Sequence, residues 1–311
     1  MTPRLTVGLI AGELRNRAER SLEHLLRQTA LDQIEIVVID VRPQKGDFAG
    51  ADHPRVRYFH KPDLSYYCEM QAELVAQARA PLVAFIEDHS YAVSGWAAAI
   101  LKTFENPHVS AVNYTFTNAV GDSYRSRSIL MAEYGHWMLP HPGGPVQICS
   151  STNLAYRRDL LLNSLHQRGS VFEAEFLIHR AMQASNGEIH VAPEATVAHE
   201  SWQTVWDACL ANGANKRVLG ARRAEHGKWG MITRVIWAGG MILAPPLFIA
   251  RLGWALRNRP ALWGKFLASL PVLVAIFSYC AWSEALGYLR GANTSREEFR
   301  ARELETHRDA S

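Results

Sequence analysis

The N-terminal stretch LTVGLIAGELRNRAERSLEHLLRQTALDQIEIVVID, residues 5–40, decides the fold class. It begins and ends with uninterrupted apolar runs, at residues 5–11 and 34–40, which predict two strands buried on both faces. Between these runs, leucines recur at helical spacing in residues 17–29. Alternation of strand, helix and strand predicts a parallel sheet that is covered by helices.

The same pattern continues along the chain. Residues 69–80 have helical periodicity, and Pro81 is expected to end that helix. Further strands are predicted at residues 56–59, 82–86, 109–117 and 189–192. We therefore expect an α/β fold with a mostly parallel central sheet.

Composition and charge divide the chain. The 311 residues are 48% hydrophobic and 20% charged, which excludes a disordered or collagen-like protein. Residues 1–215 hold 18 basic and 23 acidic residues, whereas residues 216–311 hold 15 basic and 7 acidic ones. We expect a catalytic domain over residues 1–215, a basic hydrophobic helical segment over 216–290 and a charged tail, solvated or helical, over 291–311. A basic, apolar segment of this kind is typical of attachment to a membrane surface.

Two apolar runs, residues 235–250 and 266–282, are at or just under the roughly 20 residues of a spanning helix. Pro245 and Pro246 are expected to break the first run. The basic linker at residues 251–265 would lie outside if both runs crossed, against the positive-inside tendency. An in-plane or re-entrant hairpin is therefore favoured over two spans, and a soluble helical pair that buries a dimer contact is the third alternative.

Acidic residues follow three of the predicted strands: Glu13, Asp40 and the pair Glu87-Asp88. In an open α/β sheet, ligands bind at the carboxyl ends of the strands. Acids gathered there repel one another unless a cation lies among them, so a divalent cation with a phosphate ligand is indicated. The alternative is that each acid caps the helix that follows it. The glycine patterns of dinucleotide-binding and P-loop proteins are absent, which argues against both classes.

Four segments together resemble the family-2 glycosyltransferases, which have the GT-A fold. They are SLEHLLRQTALDQIEIVVID (21–40), LVAFIEDHSYAVSGW (82–96), SSTNLAYRRDLL (150–161) and VFEAEFLIHRAMQASNGEIHVAPEATVAHE (171–200). The resemblance covers roughly residues 5–200. It implies transfer of a sugar from a nucleotide-sugar donor, UDP-linked in our expectation, with inversion and with the help of Mn²⁺ or Mg²⁺.

The resemblance also implies site residues. Asp40 matches the acid that contacts the nucleotide base, although Val41 and Arg42 replace the usual Gly-Ser after it. Glu87 stands where an aspartate is usual and is expected to bind the ribose. The nucleotide-sugar site is expected to contain Ala11, Glu13, Asp40, Glu87 and Asn153. The expected metal ligands are Asp88, His199 and His89. For His89 two alternatives stay open, namely that it orients Asp88 or is a structural histidine, and the structural reading also stays open for His199.

The general base is expected to be Glu173 or Glu175, because Ala174 falls where the family often has its aspartate. Residues two apart on a helix point to different faces, so only one of them can serve, and we favour Glu173. If neither serves, the chain is an inactive relative that binds nucleotide or glycan and scaffolds a membrane complex.

Membrane attachment indicates a lipid-linked or envelope-glycan acceptor and a location at the cytoplasmic face of the inner (plasma) membrane. The N-terminal apolar run is interpreted as a strand rather than a signal peptide. No nucleic-acid-binding motif is present, so nucleic acid is not expected as a partner. An oligomer is compatible with the sequence.

Overall fold

The structure, a computed structural model, describes residues 2–150, 152–168, 175–184 and 186–308. The chain divides into two compact units. Unit 1 consists of Met1–Ala119 and His141–His199, and unit 2 consists of Val120–Pro140 and Glu200–Ser311. The second unit therefore includes an internal segment of 21 residues as well as the C-terminal third of the chain.

Unit 1 is built on a nine-stranded sheet in which the strands follow the order β3-β2-β1-β4-β8-β6-β9-β5, with β7 paired to β9. The strands are β1 (Leu5–Ala11), β2 (Ile34–Asp40), β3 (Val56–His60), β4 (Leu82–Ile86), β5 (Ser90–Ala92), β6 (Val109–Asn118), β7 (Gly144–Val146), β8 (Leu154–Arg157) and β9 (Glu188–His199). The described helices of this unit are α1 (Arg15–Leu26), α2 (Tyr67–Gln77), α3 (Trp96–Thr103), α5 (Arg158–Arg168) and α6 (Glu175–Ala184).

Six strands of the sheet run in one direction. Strands β3, β2, β1 and β4 pair in parallel. Strand β8 is antiparallel to both β4 and β6, so β6 runs the same way as β4, and β9 is parallel to β6. The predicted α/β class with a mostly parallel sheet is confirmed, and the carboxyl ends of β1, β2, β4, β6 and β9 share one edge.

The strongly apolar strands have the predicted bounds. Every residue of β1, β2 and β4 is buried, as expected for strands covered on both faces. Strand β9 is longer than the predicted residues 189–192, because it continues along β6 through a register irregularity as far as His199. This extension places a histidine at the carboxyl edge of the sheet.

Unit 2 is helical. Its helices are α4 (Tyr124–Tyr134), α7 (Val205–His226), α8 (Met231–Gly240), α9 (Ala244–Leu256), α10 (Pro260–Arg290) and α11 (Ser295–Glu305). Helix α7 is continuous across residue 215, where we expected the catalytic domain to end, and it packs along α10. The compact units divide after His199, so all of α7 belongs to unit 2.

The apolar C-terminal region forms two segments that are long and apolar enough to cross a membrane, Met231–Leu256 and Pro260–Arg290. Just before Pro245 and Pro246 the segment changes its helix type instead of breaking: α8 ends at Gly240, a 3-10 turn covers Met241–Leu243, and α9 starts at Ala244 with the prolines in its first turn. Only 11% of the most apolar window of the first segment is buried, against 44% for the second. The first segment is therefore mostly surface.

The C-terminal tail is not merely solvated. Helix α11 packs on α7, and beyond it the guanidinium of Arg308 lies 3.6 Å from the centre of the Trp202 ring. Arg308 also donates to the backbone oxygen of Glu200 at 3.3 Å and pairs with Glu303 at 2.9 Å. Some of the charged residues that indicated a solvated segment therefore make buried contacts within unit 2.

Candidate metal and nucleotide site

A buried group of one carboxylate and two imidazoles lies at the carboxyl edge of the sheet. Glu87 and His89 follow β4, and His199 ends β9. Glu87 Oε2 lies 3.3 Å from His89 Nε2 and 3.3 Å from His199 Nε2, and the potential ligand atoms of the three residues are all within 4.8 Å of one another. Residues more than 100 positions apart in the chain thus converge on one point.

Strand pairing explains this convergence. Strand β5 starts at Ser90 and is antiparallel to β9, with Ser90 opposite His199. The pairing sets the ring of His89 against that of His199, with centroids 4.8 Å apart at an interplanar angle of 78°. On the other side of β9, His199 is opposite Asn118 of β6. The backbone at His199 is therefore held by strands on both sides.

Polar side chains hold the carboxylate of Glu87 in place. Asn153 donates from Nδ2 to Glu87 Oε2 at 2.5 Å and accepts the Glu87 backbone N–H at 3.1 Å. The hydroxyl of Thr152 donates to Oε1. Ser150 links this loop to β6, since its N–H and hydroxyl both donate to Asn113 Oδ1. Glu87 is thus oriented by a framework that extends back into the sheet.

Asp88 faces a different partner. Its Oδ2 accepts from Arg17 on α1 at 2.8 Å, and its Oδ1 lies 2.9 Å from His89 Nδ1. Residues 88 and 89 form a turn between β4 and β5, in which Asp88 contacts Nδ1 of His89 whereas Glu87 lies against Nε2 of both imidazoles. The carboxyl of Glu87, which we expected to bind the ribose, thus lies against both imidazoles, and that of Asp88, which we expected to be a metal ligand, lies against His89 and Arg17.

The electrostatics keep both carboxyls ionised. Burial alone would raise the pKa of Glu87, but the adjoining imidazoles of His89 and His199 hold that pKa well below its ordinary value. Burial likewise opposes ionisation of Asp88, and the Arg17 guanidinium and His89 lower its pKa in spite of it.

The donor set fits a divalent cation. A metal about 2.1 Å from each ligand places neighbouring ligand atoms about 3 Å apart, close to the 3.3 Å that separates Glu87 Oε2 from Nε2 of each imidazole. Each imidazole contributes one nitrogen to the group, and His89 Nδ1 is adjacent to the Asp88 carboxylate. A carboxylate behind a ligating histidine is the common way to fix the ring and raise its basicity.

The second acidic position of the edge is Asp40, at the end of β2 and fully buried. Its Oδ1 accepts from the Arg42 backbone N–H at 3.0 Å and from Arg42 Nε at 2.9 Å. The Tyr58 hydroxyl donates to its Oδ2. Burial would raise the pKa of Asp40, but the bonds from Arg42 and Tyr58 lower it. Asp40 thus fixes an arginine and a tyrosine at this edge.

The remaining predicted residues are placed as follows. Ala11 is buried opposite Asp40 in the register of β1 and β2, and Glu13 is exposed just beyond β1. Glu173 lies outside the described residues. Glu175 begins α6, but its side chain is outside the described part. The assignment of the base therefore stays a prediction.

Sequence reasoning missed Arg17, Thr152 and a further contact in unit 1. Cys149 Sγ lies 2.8 Å from His179 Nε2, and burial lowers the pKa of His179 to about 4. Arg17 lies in a basic stretch of α1 whose other members are more exposed, so only its burial distinguishes it. No local motif indicates these contacts.

The buried pair of Asp40 and Arg42 predicts a dependence of stability on pH. A carboxyl whose folded pKa is lowered stabilises the fold above its ordinary value of 3.8, and this contribution is lost as the pH falls through the folded pKa. We expect Asp40→Asn to lower the free energy of unfolding by about 3 kcal/mol at neutral pH, because it breaks a buried pair. The difference from wild type should shrink below pH 3.8.

Urea unfolding from neutral pH down to about pH 3 measures this difference. Asp52→Asn, at an exposed aspartate, is the control and should track wild type throughout. A difference for Asp40→Asn that stays constant over the whole range would show that its ionisation is not coupled to folding.

Comparison with known proteins gives distant structural likenesses. No protein-family model matches the chain, and neither does any curated protein. The crystal structure of GalNAc-T7 with UDP, GalNAc and Mn²⁺ aligns at a TM-score of 0.46 and 13% identity over 63% of this chain, which spans 42% of that chain. The crystal structure of S. aureus TarS 1-349 aligns at a TM-score of 0.47 and 12% identity, covering 94% of this chain and 91% of that one.

Proposed function

We propose that this protein is a metal-dependent glycosyltransferase with a GT-A-type catalytic unit, which transfers a sugar from a nucleotide-sugar donor. The observation that carries the proposal is the convergence of Glu87, His89 and His199 at the carboxyl edge of the parallel strands. Ligands of α/β sheets bind at that edge. The four sequence segments that resemble family-2 glycosyltransferases supply the same edge with their acids and with His199.

Residues of unit 1 would supply the metal ligands and the side chains that position those ligands. Glu87, His89 and His199 hold a divalent cation, which when bound offsets the negative charge that develops on a departing nucleoside diphosphate. Thr152 and Asn153 fix Glu87, and Arg17 with Asp88 fixes the ring of His89. Preorganised groups of this kind cost no reorganisation when charge develops.

Near the end of β2, Asp40 holds the guanidinium of Arg42 and the hydroxyl of Tyr58. We assign this group to the nucleotide, with Arg42 as a donor to acceptor atoms of the base or the ribose. Asp40 would then act through its neighbours. Ala11 and Glu13, on the adjacent β1 and just beyond it, complete the proposed nucleotide site.

The donor set favours Mn²⁺ over Mg²⁺. Mg²⁺ prefers an all-oxygen set and keeps several waters, whereas two of the three ligands here are imidazole nitrogens. We therefore propose Mn²⁺ as the working cation.

The proposed mechanism is inversion by in-line attack of an acceptor hydroxyl. Glu173 or Glu175 would take the proton from that hydroxyl, with Glu173 favoured. Glu173→Gln and Glu175→Gln, compared in one assay, would distinguish them, since the base is the residue whose loss removes turnover and leaves donor binding intact.

We further propose a UDP-linked donor and a lipid-linked or envelope-glycan acceptor, with the protein acting at the cytoplasmic face of the inner (plasma) membrane. The support for this location is the pair of long apolar segments in unit 2.

The proposal is tested by incubating the full chain with a panel of UDP- and GDP-sugars, with Mn²⁺, with Mg²⁺ and with a chelator. Release of nucleoside diphosphate is the readout. We expect release from at least one donor with Mn²⁺, less with Mg²⁺ and none with the chelator. Mn²⁺-dependent donor binding without release, with lipid extracts supplied as acceptor, would favour the inactive scaffold, and no donor binding at all would overturn both readings.

A further inference from the structure

Unit 2 exposes an unusual amount of apolar surface. Of the 17 large hydrophobic residues exposed in the described chain, 13 lie between residues 231 and 282. We call these side chains the apolar face: Met231, Ile232, Val235, Ile236, Trp237, Ile242, Leu243, Leu247, Trp254, Trp263, Leu267, Val274 and Trp282. Large contiguous apolar surfaces of soluble proteins mark sites for partners or membranes.

Helix α10 shows that this face is not the outside of a soluble bundle. Its buried residues recur every three or four positions, as in Val272, Ile276 and Cys280, which pack in one cluster with residues of α7 and α4. The exposed side of the same helix carries Trp263 and Trp282 instead of charged residues. A helix at the surface of a water-soluble protein has a polar outer face, so the surroundings of α10 are apolar on both sides.

The charges around the apolar face indicate an anionic partner. From residue 226 to residue 283 the sequence contains six basic residues and no acidic one. Arg251 and Arg257 are exposed, and the Arg257 guanidinium lies 3.7 Å from the centre of the exposed Trp254 ring. Tryptophan and arginine side by side are typical of the membrane–water interface, and basic residues there bind anionic headgroups. A second protein copy would have to match this positive charge with acids, which the same face lacks.

The contacts at the start of α10 decide between crossing and lying in the membrane. Lys265 pairs with Asp122 at 2.9 Å. Arg259, just before α10, is buried and donates to the backbone oxygens of His136 at 2.9 Å and Pro140 at 2.8 Å. Asp122 is three positions after Ala119, the residue at which the chain leaves unit 1.

Helix α4, which connects these contact points, is too short to cross. Its 11 residues are roughly 16 Å long, against about 30 Å of hydrocarbon. It also carries Arg125 and Arg127. If α9 and α10 were spans, residues 257–259 would lie on the far side, and their partners at 136–140 would have to cross as well. The start of α10 therefore stays on the same side of a bilayer as residues 122–140.

The C-terminal end of α10 is held by other residues of unit 2. Arg223 of α7 pairs with Glu284 and lies 3.4 Å from the Tyr288 hydroxyl, and Arg234 donates to the Tyr288 backbone oxygen at 3.0 Å. Helix α10 is roughly 46 Å long, enough to span a bilayer. Both of its ends are nevertheless held by polar contacts within unit 2.

We propose that unit 2 is a monotopic membrane anchor, which inserts the apolar face into one leaflet of an anionic bilayer and leaves the α9–α10 junction on the side of the bilayer from which the protein binds. The inference uses residues of unit 2 alone and does not depend on sugar transfer. A chain without transferase activity could still bind in this way, and a transferase could fail to do so.

Flotation of the full chain with vesicles tests the partner. We expect flotation with vesicles of phosphatidylcholine containing about a third phosphatidylglycerol, and at least about tenfold weaker binding to phosphatidylcholine alone. Ile236→Glu with Ile242→Glu should reduce flotation at least about tenfold, and Val93→Glu, an exposed apolar residue of unit 1, should not. Equal flotation of the double variant, or a stable detergent-free dimer that does not float, would overturn the proposal.

Sidedness separates one leaflet from two spans. Protein carrying Asn258→Cys or Glu105→Cys is bound to sealed vesicles and treated with a membrane-impermeant maleimide, and labelled peptides are measured by mass spectrometry so that native cysteines do not interfere. Both positions are exposed, one at the α9–α10 junction and one in unit 1. We expect equal labelling without detergent. Labelling of residue 258 only after detergent would show that the segments cross.

Discussion

Replacing His199 with alanine is expected to remove Mn²⁺ binding and, with it, turnover of the sugar donor. The substitution deletes one of the three side chains that converge within 4.8 Å. Loss of a residue behind a ligand already costs about 10–100-fold in affinity, so loss of a ligand should cost at least about 100-fold. Charge stabilisation by a metal contributes several kcal/mol, and about 4 kcal/mol corresponds to a factor of about 1,000 in rate.

Mn²⁺ affinity by titration calorimetry and donor turnover are the two measurements. His190→Ala is the matched control, because His190 lies in the same strand and its Nε2 is 2.7 Å from Glu188 Oε2, away from the group. A melting temperature within a few degrees of wild type checks that β9 remains intact. Unchanged Mn²⁺ affinity in folded His199→Ala would remove the metal site.

Substitutions of Glu87 and Asp88 test which of the two acids is the metal ligand. Glu87→Gln should match His199→Ala in lost affinity, since it removes the negative charge that faces both imidazoles. Asp88→Asn should cost only about 10–100-fold, because Asp88 acts by positioning His89. The reverse order of effects would restore Asp88 as the ligand and show that Glu87 serves the sugar nucleotide.

The difference between these two acids shows where sequence reasoning reaches its limit. Strands β1, β2 and β4 could be predicted because uninterrupted runs of Val, Ile and Leu are typical of strands that helices cover on both faces of a parallel sheet. The gathering of acids at its edge follows from strand direction alone. Which acid faces the imidazoles depends on Arg17, 71 residues away, which pairs with Asp88.

Long-range contacts also explain why the structure of unit 2 differs from what the sequence predicts. The segment Val120–Pro140 belongs to this unit, although it is enclosed in sequence by unit 1. Its contacts with Arg259 and Lys265 join positions more than 100 residues apart. Charge density indicated a solvated tail after residue 290, but the Trp202 ring provides a surface on which Arg308 stacks. Local composition carries no information on such partners.

Replacing Gly287 with alanine is expected to have the largest effect on the fold of unit 2. A Cβ at Gly287 would lie 2.2 Å from the backbone oxygen of Arg217 and 3.0 Å from the Ala221 nitrogen on α7. Across the same crossing, a Cβ at Gly220 would lie 2.4 Å from the Glu284 backbone oxygen. Helices α7 and α10 are therefore in backbone contact, and neither neighbour is a side chain that can rotate away.

Gly264→Ala is a control within the same helix, since a Cβ there meets nothing within 4 Å. It should be neutral or stabilise α10 by up to about 1 kcal/mol, because alanine favours helix over glycine. Gly287→Ala gains the same propensity but must push the helices apart by about an ångström. Overpacking of this kind costs about 3 kcal/mol or somewhat more.

Thermal unfolding in one mild detergent, with amide hydrogen exchange along α7 and α10, measures the difference. We expect Gly287→Ala to melt clearly below Gly264→Ala, with faster exchange in both helices. The separation also bears on the membrane anchor, since α10 presents its apolar side outward only while its small residues hold the other side against α7. Equal stability and equal exchange of the two variants would mean that the helices are not in backbone contact, and that α10 is free to turn.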